Sequence, residues 1–141
     1  MNENDDSIAG RIVVGLGNPG RKYARTRHNV GFRVLRTLVN QWVLGDGREA
    51  FEGLTWDVRR TRGGEVRRVM MLTPMTYMNC SGRSVQAMLK YYKVRTGETL
   101  VVLDDLALPL GQLRIRSDGS GGGHNGLEDV LQACGTNEVP R

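Results

Sequence analysis

Histidine and cysteine are scarce in this 141-residue chain, with two of each. Cys80 and Cys134 are too few and too unpatterned for a secreted disulfide framework, which fits a reducing, cytoplasmic setting. His28 and His124 stand 96 residues apart with no paired ligand motif around either, so the sequence points to no metal. The start is acidic and polar, with no apolar signal region. No apolar run approaches a membrane span, so no membrane partner is expected. Internal repeats and a second domain are missing as well. Acid is missing locally: after Asp6 the next acidic residue is Asp46.

What is present is a basic chain with enough apolar matter for one core. At 39% hydrophobic content, 141 residues make a single domain that buries roughly two thirds of its unfolded surface. Residues 1–9 read as a disordered extension and 10–141 as the domain. The net charge of +5 includes the acids Glu3, Asp5 and Asp6, and beyond Ser7 the chain carries 20 basic against 12 acidic residues, or +8. Seventeen of the basic residues are arginine, whose planar fork suits phosphate. That excess fits a polyanionic partner, and equally a solvated surface.

The pattern alternates strands with helices. Ile12 to Leu16 predicts a buried strand running into a glycine loop, and Val30, Val34, Leu35, Leu38, Val39, Trp42 and Val43 predict a helix with one apolar face, ended by Gly45-Asp46-Gly47. Leu54 to Arg60 and Val66 to Leu72 read as two strands around Gly63-Gly64. Val85, Met88, Leu89 and Tyr92 mark a second helix, with Ser81 or Asn79 as its cap. Leu100 to Leu103, all apolar, reads as a strand covered on both faces that delivers Asp104-Asp105. Leu113 to Arg116 reads as a further strand, followed by a glycine-rich loop over 117–123 and a helix from His124 to about Ala133. The expected fold is α/β, a three-layer sandwich with a mixed sheet flanked by helices.

Gly15-Leu16-Gly17-Asn18-Pro19-Gly20 fits a dinucleotide fingerprint, but its context does not. Pro19 lacks an N–H and pushes Asn18 toward extended geometry, and no acid follows where a ribose would need one. Polar residues instead gather at the junctions after strands: Asn18, Tyr23 with His28, Thr76-Tyr77-Met78-Asn79, Asp104-Asp105 and His124-Asn125. Junctions of this kind converge on one crevice in α/β sheets. His28 beside a carboxylate such as Asp104 makes a general base, and the carboxamides of Asn18, Asn79 and Asn125 can hold a polar substrate or a developing oxyanion. Singly, each residue has an ordinary use as a cap or turn former. Cys80 and Ser81 are nucleophile candidates that nothing marks as activated. The loop Gly119 to Gly123 could cradle phosphate beside Arg114 and Arg116, or simply connect.

These segments, in this order, resemble bacterial peptidyl-tRNA hydrolase: Val14-Gly15-Leu16-Gly17-Asn18-Pro19-Gly20; Tyr23 through Thr26-Arg27-His28-Asn29-Val30-Gly31-Phe32; Pro74-Met75-Thr76-Tyr77-Met78-Asn79 through Ser81-Gly82; Asp104-Asp105-Leu106 with Leu108-Pro109; and Gly119 through Gly122-Gly123-His124-Asn125-Gly126-Leu127. The resemblance implies hydrolysis of the ester between a peptide and the 3′ ribose of its tRNA, by a cytoplasmic monomer with no cofactor. It implies that His28 activates water and Asp104 holds it, and that Asn18 senses the peptide. Tyr23, Tyr77, Asn79 and Asn125 would line the cleft around the terminal adenosine and scissile ester. Arg114 and Arg116 would face the tRNA backbone near the acceptor arm.

Relatives of that family run on past the equivalent of Pro140-Arg141 with a further strand and terminal helices, so the expected sandwich lacks them. Two rival readings accompany the enzyme: an inactive RNA-binding module of the same fold, and a nucleotide-dependent oxidoreductase resting on the glycine loop alone.

Overall fold

The computed structural model describes residues 10–141; the expected disordered extension, residues 1–9, lies outside the described residues. Five strands form one mixed sheet in the order β2-β3-β4-β1-β5, with β1 at Gly10–Gly15, β2 at Arg48–Ala50, β3 at Gly53–Arg62, β4 at Glu65–Pro74 and β5 at Thr99–Val102. β1 runs parallel to both β4 and β5, while β2, β3 and β4 make an antiparallel meander. The β3–β4 turn falls on Gly63 and Gly64, at φ 59° and 81°. Positive φ at both central residues is the hairpin geometry whose twist matches the strands.

Alternation along the strands sends side chains to two cores. Ile12, Val14, Met70, Leu72 and Val101 pack with Val85, Met88 and Leu89 of α2 (Ser81–Tyr92) and Leu127, Val130 and Leu131 of α3 (Asn125–Cys134). On the opposite face Val13, Val58, Val69 and Met71 pack with Leu35, Leu38 and Val39 of α1 (Val30–Gln41). The result is the expected three layers, with α1 on one side of the sheet and α2 with α3 on the other.

Three local expectations need correction, and one strand was not expected. Residues 113–116 form no strand: Leu113 is 97% and Ile115 84% exposed, so the alternating pattern has no surface to lie on. Only Arg116 pairs, exchanging both backbone hydrogen bonds with Arg141 at 2.8 Å. β5 is covered fully on one face, where Val101 is buried, and in part on the other, where Val102 packs against the α1 core while Leu100 is 37% exposed. Neither Ser81 nor Asn79 caps α2, because a 3₁₀ turn at Met78–Cys80 feeds directly into it and the Ser81 hydroxyl donates to Met78 O at 2.7 Å. β2 is a strand the sequence did not announce. At the end of the described chain, Val139 is buried and the Val101 N–H donates to Pro140 O at 2.9 Å, so this segment lies alongside β5.

Candidate active site

β1, β4 and β5 all point their carboxyl ends to one edge of the sheet, and the loops leaving them build the site. The first loop is set by close packing. A Cβ at Gly15 would collide with Gly31 O, and one at Gly31 with Leu16 N and Val102 O, so the start of α1 rests directly on the sheet backbone. The buried Asn29 side chain then clamps the loop. Its Oδ1 accepts from the Asn18 N–H at 2.8 Å and its Nδ2 donates to Asn18 O at 2.9 Å. Asn18 Oδ1 in turn accepts from the Met78 N–H at 2.7 Å, tying the first loop to the one that carries Tyr77 and Asn79. With its carbonyl so engaged, Asn18 keeps its NH₂ group as the part free to meet a ligand.

His28 sits in a 3₁₀ turn at Arg27–Asn29, immediately before α1, and its ring is 51% exposed. Nδ1 lies 3.1 Å from Asp104 Oδ1 and 3.0 Å from Oδ2. The Asp104 side chain is only 8% exposed, and Oδ2 has no hydrogen bond of its own among the described residues. A second histidine completes the array: His124 Nε2 lies 2.9 Å from Asp104 Oδ1, and the two rings meet edge to face with centroids 5.5 Å apart.

The hydrogen bonds decide the tautomers. His124 is the N-cap of α3 and its Nδ1 accepts from the Leu127 N–H at 3.2 Å. A neutral imidazole that accepts on Nδ1 carries its proton on Nε2, so His124 donates to Asp104. The carboxylate is acceptor-only, hence His28 presents Nδ1–H to it and turns the lone pair of Nε2 outward. His28, Asp104 and His124 also place three potential metal donors within 4.8 Å of one another. The cap bond argues against a cation there, because a protonated Nε2 has no lone pair to give and metal-ligating histidines usually donate, rather than accept, with their other nitrogen.

The other residues singled out from the sequence lie on the loops that flank this array. Met78 fills the space against Gly126, where a Cβ would strike Met78 Sδ and fall 3.2 Å from His124 Cε1. Asn79 and Asn125 directly adjoin the two residues of that contact, and both side chains are exposed with no protein partner among the described residues. Tyr77 is 62% exposed, and Tyr23 is half-buried with Lys22 Nζ 5.4 Å from its ring centre. Cys80 is exposed and Ser81 is buried, its hydroxyl already spent on Met78 O.

Arg114 and Arg116 stand on the flanking loop. Arg114 pairs with Asp105 Oδ2 at 3.0 Å, while Asp105 Oδ1 accepts from the Ala107 N–H at 2.9 Å. The Ala107 N–H, followed by Arg114, holds the Asp105 carboxyl below its ordinary range. Arg116 and the buried Arg141 both approach Gly119, at 3.5 and 3.6 Å from where its Cβ would be. The Arg141 guanidinium donates to Val139 O, Ser120 O and Asn137 O, and burial, then Arg116, lowers its pKa. The glycine loop is not an open cradle: the Gly119 N–H goes to Asn137 O and the Gly123 N–H to the Glu128 carboxylate.

Asn29 is the residue that sequence reasoning passed over as a site builder, while His124 was placed among the converging junctions without a role of its own. The signal for Asn29 was its place beside His28; His124 offered only a polar junction.

Comparison with known proteins matches the sequence model of the peptidyl-tRNA hydrolase family to residues 12–141. A peptidyl-tRNA hydrolase of Clostridium perfringens is 42% identical over 130 residues, which is 92% of this chain and 67% of that relative. One from Thermosynechococcus vestitus is 50% identical over 131 residues, 92% of this chain and 62% of the relative. Among solved structures, a peptidyl-tRNA hydrolase from Acinetobacter baumannii superposes with a TM-score of 0.82 at 36% identity, covering 99% of this chain and 68% of that one.

Proposed function

The chain belongs to the peptidyl-tRNA hydrolase family, and we propose that it hydrolyses the ester joining a peptide to the 3′ ribose of tRNA, with His28 as general base. The observation that carries this is the array of two histidines on one carboxylate of 8% exposure, with the outward nitrogen of His28 left to face solvent. A module that only bound RNA would have no use for an oriented base of this kind.

In this reading a water gives its proton to His28 Nε2 as its oxygen attacks the ester carbonyl, and Asp104 stabilises the imidazolium that forms. The amides of Asn79 and Asn125 donate to the oxyanion, while the NH₂ of Asn18 meets the peptide. As the tetrahedral intermediate collapses, the bond to the ribose oxygen breaks and that oxygen takes the proton back from His28. Tyr23 and Tyr77 line the cleft around the terminal adenosine. Arg114 and Arg116 face the phosphates of the acceptor arm, and the enzyme works as a cytoplasmic monomer without a cofactor. No helix among the described residues is long and apolar enough to cross a membrane.

The test is release of labelled peptide from a model peptidyl-tRNA. His28→Ala should slow release by on the order of 10²–10⁴ with tRNA affinity nearly unchanged, whereas Cys80→Ala should leave it intact. Equal rates for the parent and His28→Ala would remove His28 as the base.

A further inference from the structure

Away from the cleft, the α1 layer carries a basic surface that neither the hydrolytic site nor the fold accounts for. Helix α1 contains no acidic residue, and its exposed face presents Arg33 and Arg36, three positions apart. Val58 and Val69 face α1, so alternation puts Arg60, Arg62 and Arg67 on the same side of the β3–β4 hairpin, and Arg11 of β1 joins them. All four are exposed. Arg60 stacks on Trp42, at the end of α1, with its guanidinium carbon 4.8 Å from the ring centre, which joins the helix and hairpin parts of the surface. The only acid on this side of the hairpin is Glu65, which meets Arg67 at 3.3 Å with both side chains about three-quarters exposed. Such an exposed pair contributes little stability and is open to exchange with a competing anion.

Beyond the Arg60–Trp42 stack, folding gives little reason for this arrangement. Arg60 and Arg67 are direct cross-strand neighbours, and like charges in that position destabilise a sheet. Arg33 and Arg36 repel along the helix in the same way. Beyond Arg68 the hairpin has no neighbouring strand among the described residues, so its tip projects as a free two-stranded ribbon. The surface starts at the edge of the sheet that holds His28, since Arg27 directly precedes it, and follows α1 for about 18 Å toward the hairpin.

We infer that this face is a second phosphate-binding surface, on the opposite side of the sheet from α2 and α3, which takes the backbone of a double-helical arm of RNA without reading its sequence. An arginine-rich face whose hairpin side carries a single acid matches regularly spaced phosphates, and a duplex anion offsets the repulsion that the folded chain carries alone. The inference rests on the proposed substrate being a tRNA, although duplex binding tests it separately.

The experiment measures binding of a short, deacylated RNA hairpin across a salt series, for the parent chain, Arg33→Gln/Arg36→Gln and Arg60→Gln/Arg67→Gln. Each double variant should lose roughly tenfold in affinity at low salt, and the log–log salt slope should fall by about 2. Arg33 and Arg36 are exposed helix positions, so their variant stays folded even if loss of the Trp42 stack harms the other. In hydrolysis, both variants should raise KM for full peptidyl-tRNA and leave turnover of a peptidyl-adenosine unchanged. An unchanged affinity and slope in the Arg33/Arg36 variant would overturn the inference, as would a loss confined to anionic phospholipid vesicles. If the parent chain cleaves neither substrate, the hydrolytic reading fails, and the RNA hairpin still decides this one.

Discussion

His124 does two jobs with one ring, and substitutions can separate them. Its Nδ1 caps α3 through the Leu127 N–H, and its Nε2–H holds Asp104 Oδ1 at 2.9 Å. Losing a side-chain N-cap costs about 1 kcal/mol. Losing a hydrogen bond to a buried charged acceptor costs about 1.5–3 kcal/mol. His124→Ala removes both, so its urea midpoint should report a loss of roughly 2.5–4 kcal/mol. His124→Asn retains a good capping group but is too short to reach Asp104, and should recover about 1 kcal/mol of that loss. Activity should not recover with it. Asp104 freed on one side holds His28 less firmly, and if the whole bond acts in the transition state kcat falls by roughly 10- to 100-fold with KM unchanged. The assay is single-turnover peptide release, run alongside Asp104→Asn and the double variant. Because His124 acts through Asp104, adding His124→Asn to Asp104→Asn should cost almost nothing more. Full kcat in His124→Asn, or strict additivity in the double variant, would refute the coupling.

Three further outcomes follow from other parts of the molecule. Val43 ends α1 at φ 53°, with its N–H to Asn40 O and the Leu44 N–H to Val39 O, a helix-ending geometry that favours glycine. Val43→Gly should therefore raise stability by about 1 kcal/mol, or about 3 °C in Tm, despite the added freedom of the unfolded chain; an unchanged or lower Tm would count against strain there. Gly31→Ala should cost about 3 kcal/mol or more, because the new methyl meets the backbone of Leu16 and Val102 rather than a movable side chain; a urea midpoint within error of the parent would contradict that packing. The Asp105 carboxyl is held below its ordinary range, so its contribution to stability is full above that range and is lost as pH falls through the lowered value. In a pH series of urea melts, Asp105→Asn should be less stable than the parent at neutral pH and converge with it in acid, and a constant gap would rule the linkage out.

How much of this could be read from the residues depends on how local each cause is. The β3–β4 hairpin was legible because its turn residues are glycines between two strand-like segments, and α1 because its apolar spacing is helical over more than three turns. Leu113-Arg114-Ile115-Arg116 alternates just as a strand does, yet Leu113 and Ile115 are exposed, since alternation specifies a face and not the existence of something to cover it. β2 went unread for the converse reason. Arg48-Glu49-Ala50 has no strand pattern, and it pairs because Phe51 and Glu52 turn back at φ 54° and 56°. The pairing of His28 with Asp104 was readable, and the two side chains meet at 3.0–3.1 Å. The role of His124 was not, because it depends on which ring nitrogen the α3 cap occupies, a fact of tertiary structure.

The glycine fingerprint shows how a motif can be real while its usual meaning is wrong. A dinucleotide loop spends its glycines on letting phosphate approach the backbone. Here Gly15 and Gly31 let one part of the backbone approach another, and a Cβ at Gly17 would lie 2.7 Å from the Phe32 ring. Drawing α1 down onto β1 and β5 has a chemical consequence. His28 leads straight into α1, and Asp104 follows β5 by two residues, so the closeness of helix and sheet sets the separation between base and carboxylate. With larger residues at 15 and 31 the helix would ride higher, and the 3.0–3.1 Å contacts of His28 with Asp104 would open. In the proposed mechanism, then, these glycines act as positioning residues, by setting where His28 stands against Asp104.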